Sequence, residues 1–277
     1  MNDSLYTQAS EPAAASASAR NISGAQVIIN ADDWGRDREN TDRSLACVLA
    51  GVMSSASAMV FMEDSERSAD LAREHAVDCG LHLNLTTAFS APQSPARLRD
   101  HQRKLSRYLR SLRLAQALYH PFLTNSFEYV VKTQREEFER LYGAPAGRID
   151  GHHHMHLCAN VVRQGLLPAG TMVRRNFSFG PSEKSSVNRW YRDRQDKVLA
   201  RRHSMTDFFF SLPPLEPRLR LKRIFTLALQ FNVEVETHPV NAEEYGYLMD
   251  GNLLRDLGAL QVAPSYRLRS TDERTAA

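Results

Sequence analysis

Cysteine is scarce in this chain of 277 residues: Cys47, Cys79 and Cys158 are odd in number, and no two form a CxxC pair. A disulfide framework is therefore excluded, and the expected setting is a reducing one, the cytoplasm. Cys158 follows a histidine cluster, yet such a thiol is more often a small buried hydrophobe than a soft metal ligand. Long apolar runs are missing too. None approaches the roughly 18 residues needed to span a bilayer, so no transmembrane segment is expected. No GxGxxG or Walker-type loop occurs, which removes the usual nucleotide cradles. The net charge of +3 is too small to argue for nucleic acid.

That charge is unevenly spread. From Arg97 to Arg113 the sole acid is Asp100, and a solvated helix face is the ordinary reading, with an anionic substrate or membrane surface as the alternative. Residues 1–22 are rich in Ala and Ser and lack the basic start and apolar centre of a secretory signal, so they read as a disordered tail. With 42% hydrophobic residues, the chain has enough for one large core. A single domain is expected over 23–265, followed by a polar C-terminal tail, 266–277.

Seven strand candidates are Gln26–Ala31, Ser54–Phe61, Gly80–Thr86, Gly147–His152, Thr171–Arg175, Met205–Ser211 and Asn232–Thr237. Between them fall helical patterns: Leu45 to Val52 with Gly51 as a stop, Ser65–Ala76, Phe127–Leu141 before Gly143 and Pro145, and Pro217–Gln230. Alternating strand and helix imposes parallel pairing, because each parallel strand needs a crossover. The expected fold is α/β, a distorted or incomplete TIM-like (β/α) barrel of about seven parallel strands; an open doubly wound sheet is the alternative. The interval from about 90 to 125, with Pro92, Pro95 and Pro121, exceeds an ordinary connection and reads as a helical insertion near the active face.

Metal-type ligands stand beside these strands. Asn30-Ala31-Asp32-Asp33-Trp34-Gly35 ends the first apolar run at two carboxylates that repel unless a cation or strong donors sit nearby. A single Asp there would more often cap the next helix. In Gly80-Leu81-His82-Leu83-Asn84-Leu85-Thr86 the leucines face one way, and His82, Asn84 and Thr86 the other, toward a cavity or toward water. A lone His is usually structural, but Asp150-Gly151-His152-His153-His154-Met155-His156 shifts the balance. In extended backbone His152, His154 and His156 would share one side. With Arg174 and His238 these residues gather at the carboxyl ends of strands, where barrel enzymes keep their reacting groups.

These segments, together with Gly51-Val52-Met53-Ser54-Ser55-Ala56-Ser57-Ala58-Met59-Val60, resemble the YdjC/ChbG-type carbohydrate deacetylases in order, from about 25 to 240. The resemblance implies a distorted TIM-like barrel, one divalent metal and hydrolysis of a sugar N-acetyl group. Residue by residue it implies Asp33, His82 and His152 as metal ligands, Asp32 as base and His238 as proton donor. Trp34 replaces the usual Phe, and Leu157-Cys158-Ala159-Asn160 replaces a Pro-containing continuation, which leaves the metal set intact and the substrate open.

Amide hydrolysis requires an activated water, a stabilised oxyanion and a proton for the departing amine, and one Asp with two His leaves a cation open positions for this work. The resemblance points to Mg²⁺, whereas two imidazoles point to Zn²⁺. Asp150 reads as a carboxylate orienting a ligand histidine. Arg174 or Arg175 reads as tuning Asp32 or binding substrate oxygen, His154 and His156 as lining the groove or structural, and Asp207 as a weaker candidate. The expected partner is an N-acetylated sugar, oligosaccharide or lipid-linked sugar, with a homodimer compatible with the class. Competing classes are a metal-dependent phosphoesterase and a non-catalytic carbohydrate-binding barrel.

Overall fold

Each of the seven strand candidates overlaps a strand. The computed structural model describes residues 25–112, 114–180 and 183–270. Its strands are β1 (Gln26–Trp34), β2 (Ser55–Ala58), β3 (Cys79–Leu83), β4 (Arg148–Gly151), β5 (Met172–Val173), β6 (Phe208–Ser211) and β7 (Val233–Thr237), plus a short β8 (Gln261–Val262) that the sequence pattern did not reveal. Helices α1 (Arg38–Leu49), α2 (Ser65–Glu74), α3 (Ala96–Ser111), α4 (Thr124–Tyr142), α5 (Ala159–Gln164), α6 (Ser186–Leu199), α7 (Arg218–Ala228), α8 (Ala242–Met249) and α9 (Asn252–Leu257) complete the order. Helices α5, α6, α8 and α9 were also not foreseen. Residues 1–22 and 271–277, expected as tails, lie outside the described residues.

The strands pair in the order β5-β4-β3-β2-β1-β7-β6, and all the pairings are parallel. They curl into an incomplete TIM-like barrel. Its seam between β5 and β6 is spanned by the Met172 to Ser204 bridge and by the Ser178 amide donating to the Phe209 carbonyl at 2.8 Å. On the edge of β1 that also meets β2, the amides of Gln261, Ala263 and Ser54 take the carbonyls of Ala25, Val27 and Ile29. Strand β8 thus sits beside the start of β1, below β2.

Residues 266–270, expected within the polar tail, lie against the barrel floor. Tyr266 packs with Ile28 and Ala263 and donates its hydroxyl to Glu234 at 2.6 Å, while Arg269 and Asn232 exchange backbone and side-chain hydrogen bonds. The outward faces of the strands carry the apolar residues, Ile29, Leu81, Leu83, Ile149, Val233 and Val235 among them, and bury them under the helices. Local signals explain the helix ends. Asp37 caps α1 through the Asn40 amide, and α4 stops at Gly143 in a left-handed turn.

The insertion consists of α3 and two single 3-10 turns, Ala115–Ala117 and Pro121–Leu123. Leu98, Gln102, Leu105 and Leu109 are the buried face of α3, and Arg97, Arg103, Lys104, Arg107 and Arg110 are exposed. The solvated-face reading of the basic stretch therefore holds for its described residues.

Candidate metal centre and active site

Strand β1 runs past Ala31, where the sequence pattern had ended it, and carries Asp32 and Asp33 within it. In a regular strand these neighbours would point to opposite faces. The pairing with β2 passes from Ala31↔Ala56 to Trp34↔Ala58, so β1 gains a residue, and Asp33 sits at φ +65°. This bulge re-aims Asp33 so that both carboxylates approach His82: its Nε2 is 3.8 Å from Asp32 Oδ2 and 3.4 Å from Asp33 Oδ1. Helix capping by either residue is overturned, since the cap is Asp37.

His82, on the inward face of β3, gives its Nδ1 to Asp150 Oδ1 at 2.7 Å, which leaves Nε2 aimed at the two aspartates. His152 Nδ1 lies 2.9 Å from Asp33 Oδ1. All three side chains are buried, and their ligand atoms lie within 4.8 Å of one another. Although Asp33 Oδ1 is this close to both rings, it makes no hydrogen bond with either. A buried carboxylate oxygen facing two imidazole nitrogens without hydrogen-bond geometry is a donor set that could hold a divalent cation. Asp33 Oδ2 is separately held by Arg36 at 2.8 Å.

Asp32 is fixed by a two-pronged pair: Arg174 Nη1 to Oδ2 and Nη2 to Oδ1, each 2.7 Å, with Asn30 Nδ2 donating to Oδ1 at 2.8 Å. Oδ1 is saturated, and Oδ2 keeps a free acceptor site on the side of His82. Arg174 is fully buried, its Nε on Glu234 at 2.7 Å, its Nη2 3.2 Å from Asp150 and its Nη1 3.3 Å from Glu236. Arg175 turns away to Asp196, so of the two arginines it is Arg174 that meets Asp32. His238 follows β7. A ring nitrogen lies within 4.8 Å of carboxylate oxygens of Asp32 and Glu236, and its backbone amide donates to Glu244 at 2.9 Å.

Burial would raise the Asp32 and Asp33 carboxyls, but Arg174 beside Asp32, and His152 and His82 beside Asp33, hold both below the ordinary range. Burial lowers His82, yet Asp32, Asp150 and Asp33 outweigh it and lift the ring to about 10. The negative field that keeps a proton on His82 is one a divalent cation would equally satisfy. Burial, then the charge of Asp32, pushes Glu236 well above its usual value.

The histidine cluster is not extended. His152–Leu157 forms a 3-10 segment, with His153 and His154 in left-handed backbone, and the expected alternation is lost. The His153 ring lies 4.0 Å from that of His152 and pairs with Thr86 Oγ1 at 2.9 Å. His154 lies over Phe177 with Nε2 3.6 Å from Glu236. His156 is fully buried, its Nε2 2.9 Å from the Arg174 carbonyl oxygen, and so serves as a prop for the loop rather than a groove wall. Asn84 and Thr86 are buried and do not face water, because Asn84 Oδ1 accepts the Thr86 and Thr87 amides in a turn after β3. Asp207 accepts the Asn232 amide near the barrel floor, away from these groups. Cys158 is buried, and desolvation raises its thiol to about 12, as suits a packing residue.

Sequence reasoning missed Glu234, Glu236, Ser57 and Arg148. Ser57 Oγ donates to Asp150 Oδ2 at 2.5 Å and receives Arg148 Nη1 at 3.0 Å. The alternation in Val233-Glu234-Val235-Glu236-Thr237 was the available signal, since it places both glutamates on one face.

The family profile described as YdjC-like protein matches residues 26–263. A chitooligosaccharide deacetylase of Proteus mirabilis (strain HI4320) is 31% identical over 133 residues, 47% of this chain and 50% of that protein. One of Yersinia pestis (strain Pestoides F) is 29% identical over 136 residues, 49% and 52% of the two chains. The chain thus spans about half the length of the curated relatives it matches. Among solved structures, a putative cellobiose-phosphate cleavage protein from Enterococcus faecalis V583 aligns with TM-score 0.59 at 16% identity, over 87% of this chain and 97% of that one, a likeness of fold.

Proposed function

The chain belongs to the YdjC-like protein family, and from that premise we propose that it is a metal-dependent hydrolase that removes the N-acetyl group of an acetylated amino sugar or glycoconjugate. The observation that carries this reading is the convergence of Asp33, His82 and His152 around a buried carboxylate oxygen that makes no hydrogen bond among the described residues, with Asp32 and His238 beside it. The names of the chitooligosaccharide deacetylases agree with it.

Asp33, His82 and His152 would hold a divalent cation, Mg²⁺ by resemblance or Zn²⁺ by ligand type. When bound, it supplies the positive charge that acidifies water and polarises an amide carbonyl. Asp32 Oδ2, kept anionic and oriented by Arg174, takes the proton of the attacking water. His238 gives a proton to the departing nitrogen, and acetate and a free amine leave. Asp150 holds the His82 ring so that Nε2 faces the ligand group. A phosphoester reading fits less well, because Asp32 and Asp33, both held anionic, would stand against a phosphate dianion.

The test is acetate release by protein stripped of metal and reloaded with Mg²⁺, Zn²⁺ or Co²⁺, on N-acetylated mono- and oligosaccharides, beside Asp32→Asn. Metal-dependent release that the variant loses is expected. Phosphate release from aryl phosphates with no acetate from any sugar would overturn the proposal.

A further inference from the structure

Helix α6 carries its apolar stripe on the outside. Val187, Trp190 and Tyr191 follow helical spacing and are all exposed, Trp190 to 63%, while the residues that the helix buries are Asp196 and Leu199. A helix packed on a barrel by such a stripe would show the reverse. The insertion repeats the anomaly, since Leu112, Leu114, Leu118 and Phe122 are exposed, Phe122 to 91%.

The two groups form one surface. Leu114 and Tyr191 line the same cavity of about 340 Å³, together with His153 and His154. Arg163 bridges them elsewhere, its guanidinium 5.9 Å from the Tyr119 ring centroid and its charge felt at Tyr191. Ser106 Oγ of α3 donates to the Thr86 carbonyl at 2.6 Å, and Thr86 Oγ1 in turn meets His153, so the end of α3 lies beside the candidate site. Exposed apolar side chains are ordinary when scattered, but a cluster of them marks an interaction surface.

Charge indicates what covers it. Arg107 and Arg110 precede Leu112 toward the end of α3, Arg194 lies one turn from Trp190, and Arg163 stands beside Tyr119. All four are exposed and make no ion pair among the described residues. The acids of α3 and α6 are already taken: Asp100 by Arg103 at 3.4 Å, Asp193 by Lys197 at 2.7 Å and Asp196 by Arg175 at 3.0 Å. A second copy meeting this face by twofold symmetry would set the unpaired cations against themselves. Apolar side chains ringed by arginine instead match acyl chains under anionic headgroups, with Trp and Tyr at headgroup level and the arginine stems lying along the lipid. No described helix is long and apolar enough to cross a membrane, so the contact is with a bilayer surface.

We infer that the face formed by the insertion and α6 docks on an anionic lipid bilayer and brings the mouth of the candidate site to the membrane. The cations of α3 face solvent in the free chain, as such a contact requires. The inference does not rest on the deacetylase reading, because lipid binding is measured without turnover.

Trp190 supplies the probe, because the other tryptophan, Trp34, is fully buried. Titrating the full chain with vesicles of mixed phosphatidylglycerol and phosphatidylcholine should shift its emission to the blue, and brominated lipid should quench it. Vesicles of phosphatidylcholine alone should do neither. In co-sedimentation, affinity for the mixed vesicles should fall about tenfold in Phe122→Ser and roughly fivefold in each of Arg107→Gln and Arg110→Gln. Leu49→Ser on α1, where the leucine is 63% exposed, serves as the control and should bind as the parent does. Urea midpoints of these variants should match the parent's, since each replaced side chain is exposed. Absence of binding to either vesicle, or binding that Phe122→Ser and both arginine variants leave intact, would overturn the proposal. So would a dimer in sedimentation equilibrium that Phe122→Ser breaks while no lipid is bound, because the face would then belong to a second copy.

Discussion

At the scale of single residues, Asp33 combines two demands: under the proposed function a carboxylate for a cation, and in the fold a backbone at φ +65°. Asn tolerates left-handed backbone far better than Val does, which separates the two demands by mutation. Asp33→Asn should keep the metal-free parent's unfolding midpoint and lose bound metal, measured by elemental analysis after dialysis. Asp33→Val should lose the metal and, in addition, roughly 1–2 kcal/mol of stability. Full metal content in Asp33→Asn would refute the ligand assignment. His156 gives a pH prediction. Burial lowers its ring to about 4 from an ordinary 6.5. Above pH 6.5 neither folded nor unfolded chain protonates it, and its contribution is complete. As pH falls from there to about 4, the unfolded chain takes a proton that the folded one refuses, and stability drops by up to about 1.4 kcal/mol per pH unit. Urea midpoints at pH 7.5 and 5 should diverge less in His156→Gln than in the parent, and equal divergence would rule out this role.

At the scale of elements, the sequence was most legible where periodicity and burial coincide. The β-branched run before Asp32, the leucine alternation around His82 and the strand before His152 each located a strand, because a parallel sheet under helices demands apolar side chains on its outward face. Boundaries and re-aimings were less legible. Nothing in Asp32-Asp33 announces a bulge, and four clustered histidines read as extended until two of them adopt left-handed backbone. Helix α6 escaped because its buried residues, Asp196 and Leu199, make too sparse an apolar stripe. The inward faces carry a further element-level demand. A Cβ at Gly80 on β3 would stand 2.7 Å from Arg148 Cζ on β4. Arg148 cannot step aside freely, since it is held by the Ala56 carbonyl, Ser57 and the Tyr266 ring. Gly80→Ala should therefore cost about 1–3 kcal/mol in urea unfolding, as overpacking does. A neutral result would mean that the arginine layer is loosely held.

At the scale of the whole molecule, the barrel interior is a charge lattice. Asp32, Asp150, Glu234 and Glu236 surround Arg174, with Arg148 below and Asp33 above. Removing the central cation by Arg174→Met should destabilise the fold by about 3–5 kcal/mol, because it strands buried carboxylates. Adding a cation should do the reverse. Metal at a hundredfold over its dissociation constant should stabilise the folded chain by about 2.7 kcal/mol, seen as a midpoint that rises on reloading and falls with chelator. A midpoint indifferent to metal would mean that the ligand group is already balanced without one.

The pairing of β8 with the first residues of β1 has a practical corollary for tethering. Gln26 and Gln261 are partners in register, and the segment from Tyr266 to Arg269 stays under the barrel, so residues 25 and 270 both lie at the end opposite Asp32, His82 and His238. A cargo domain, surface anchor or affinity handle attached at residue 25 or at residue 270 would start on the side of the barrel away from the candidate site and leave the approach to it clear.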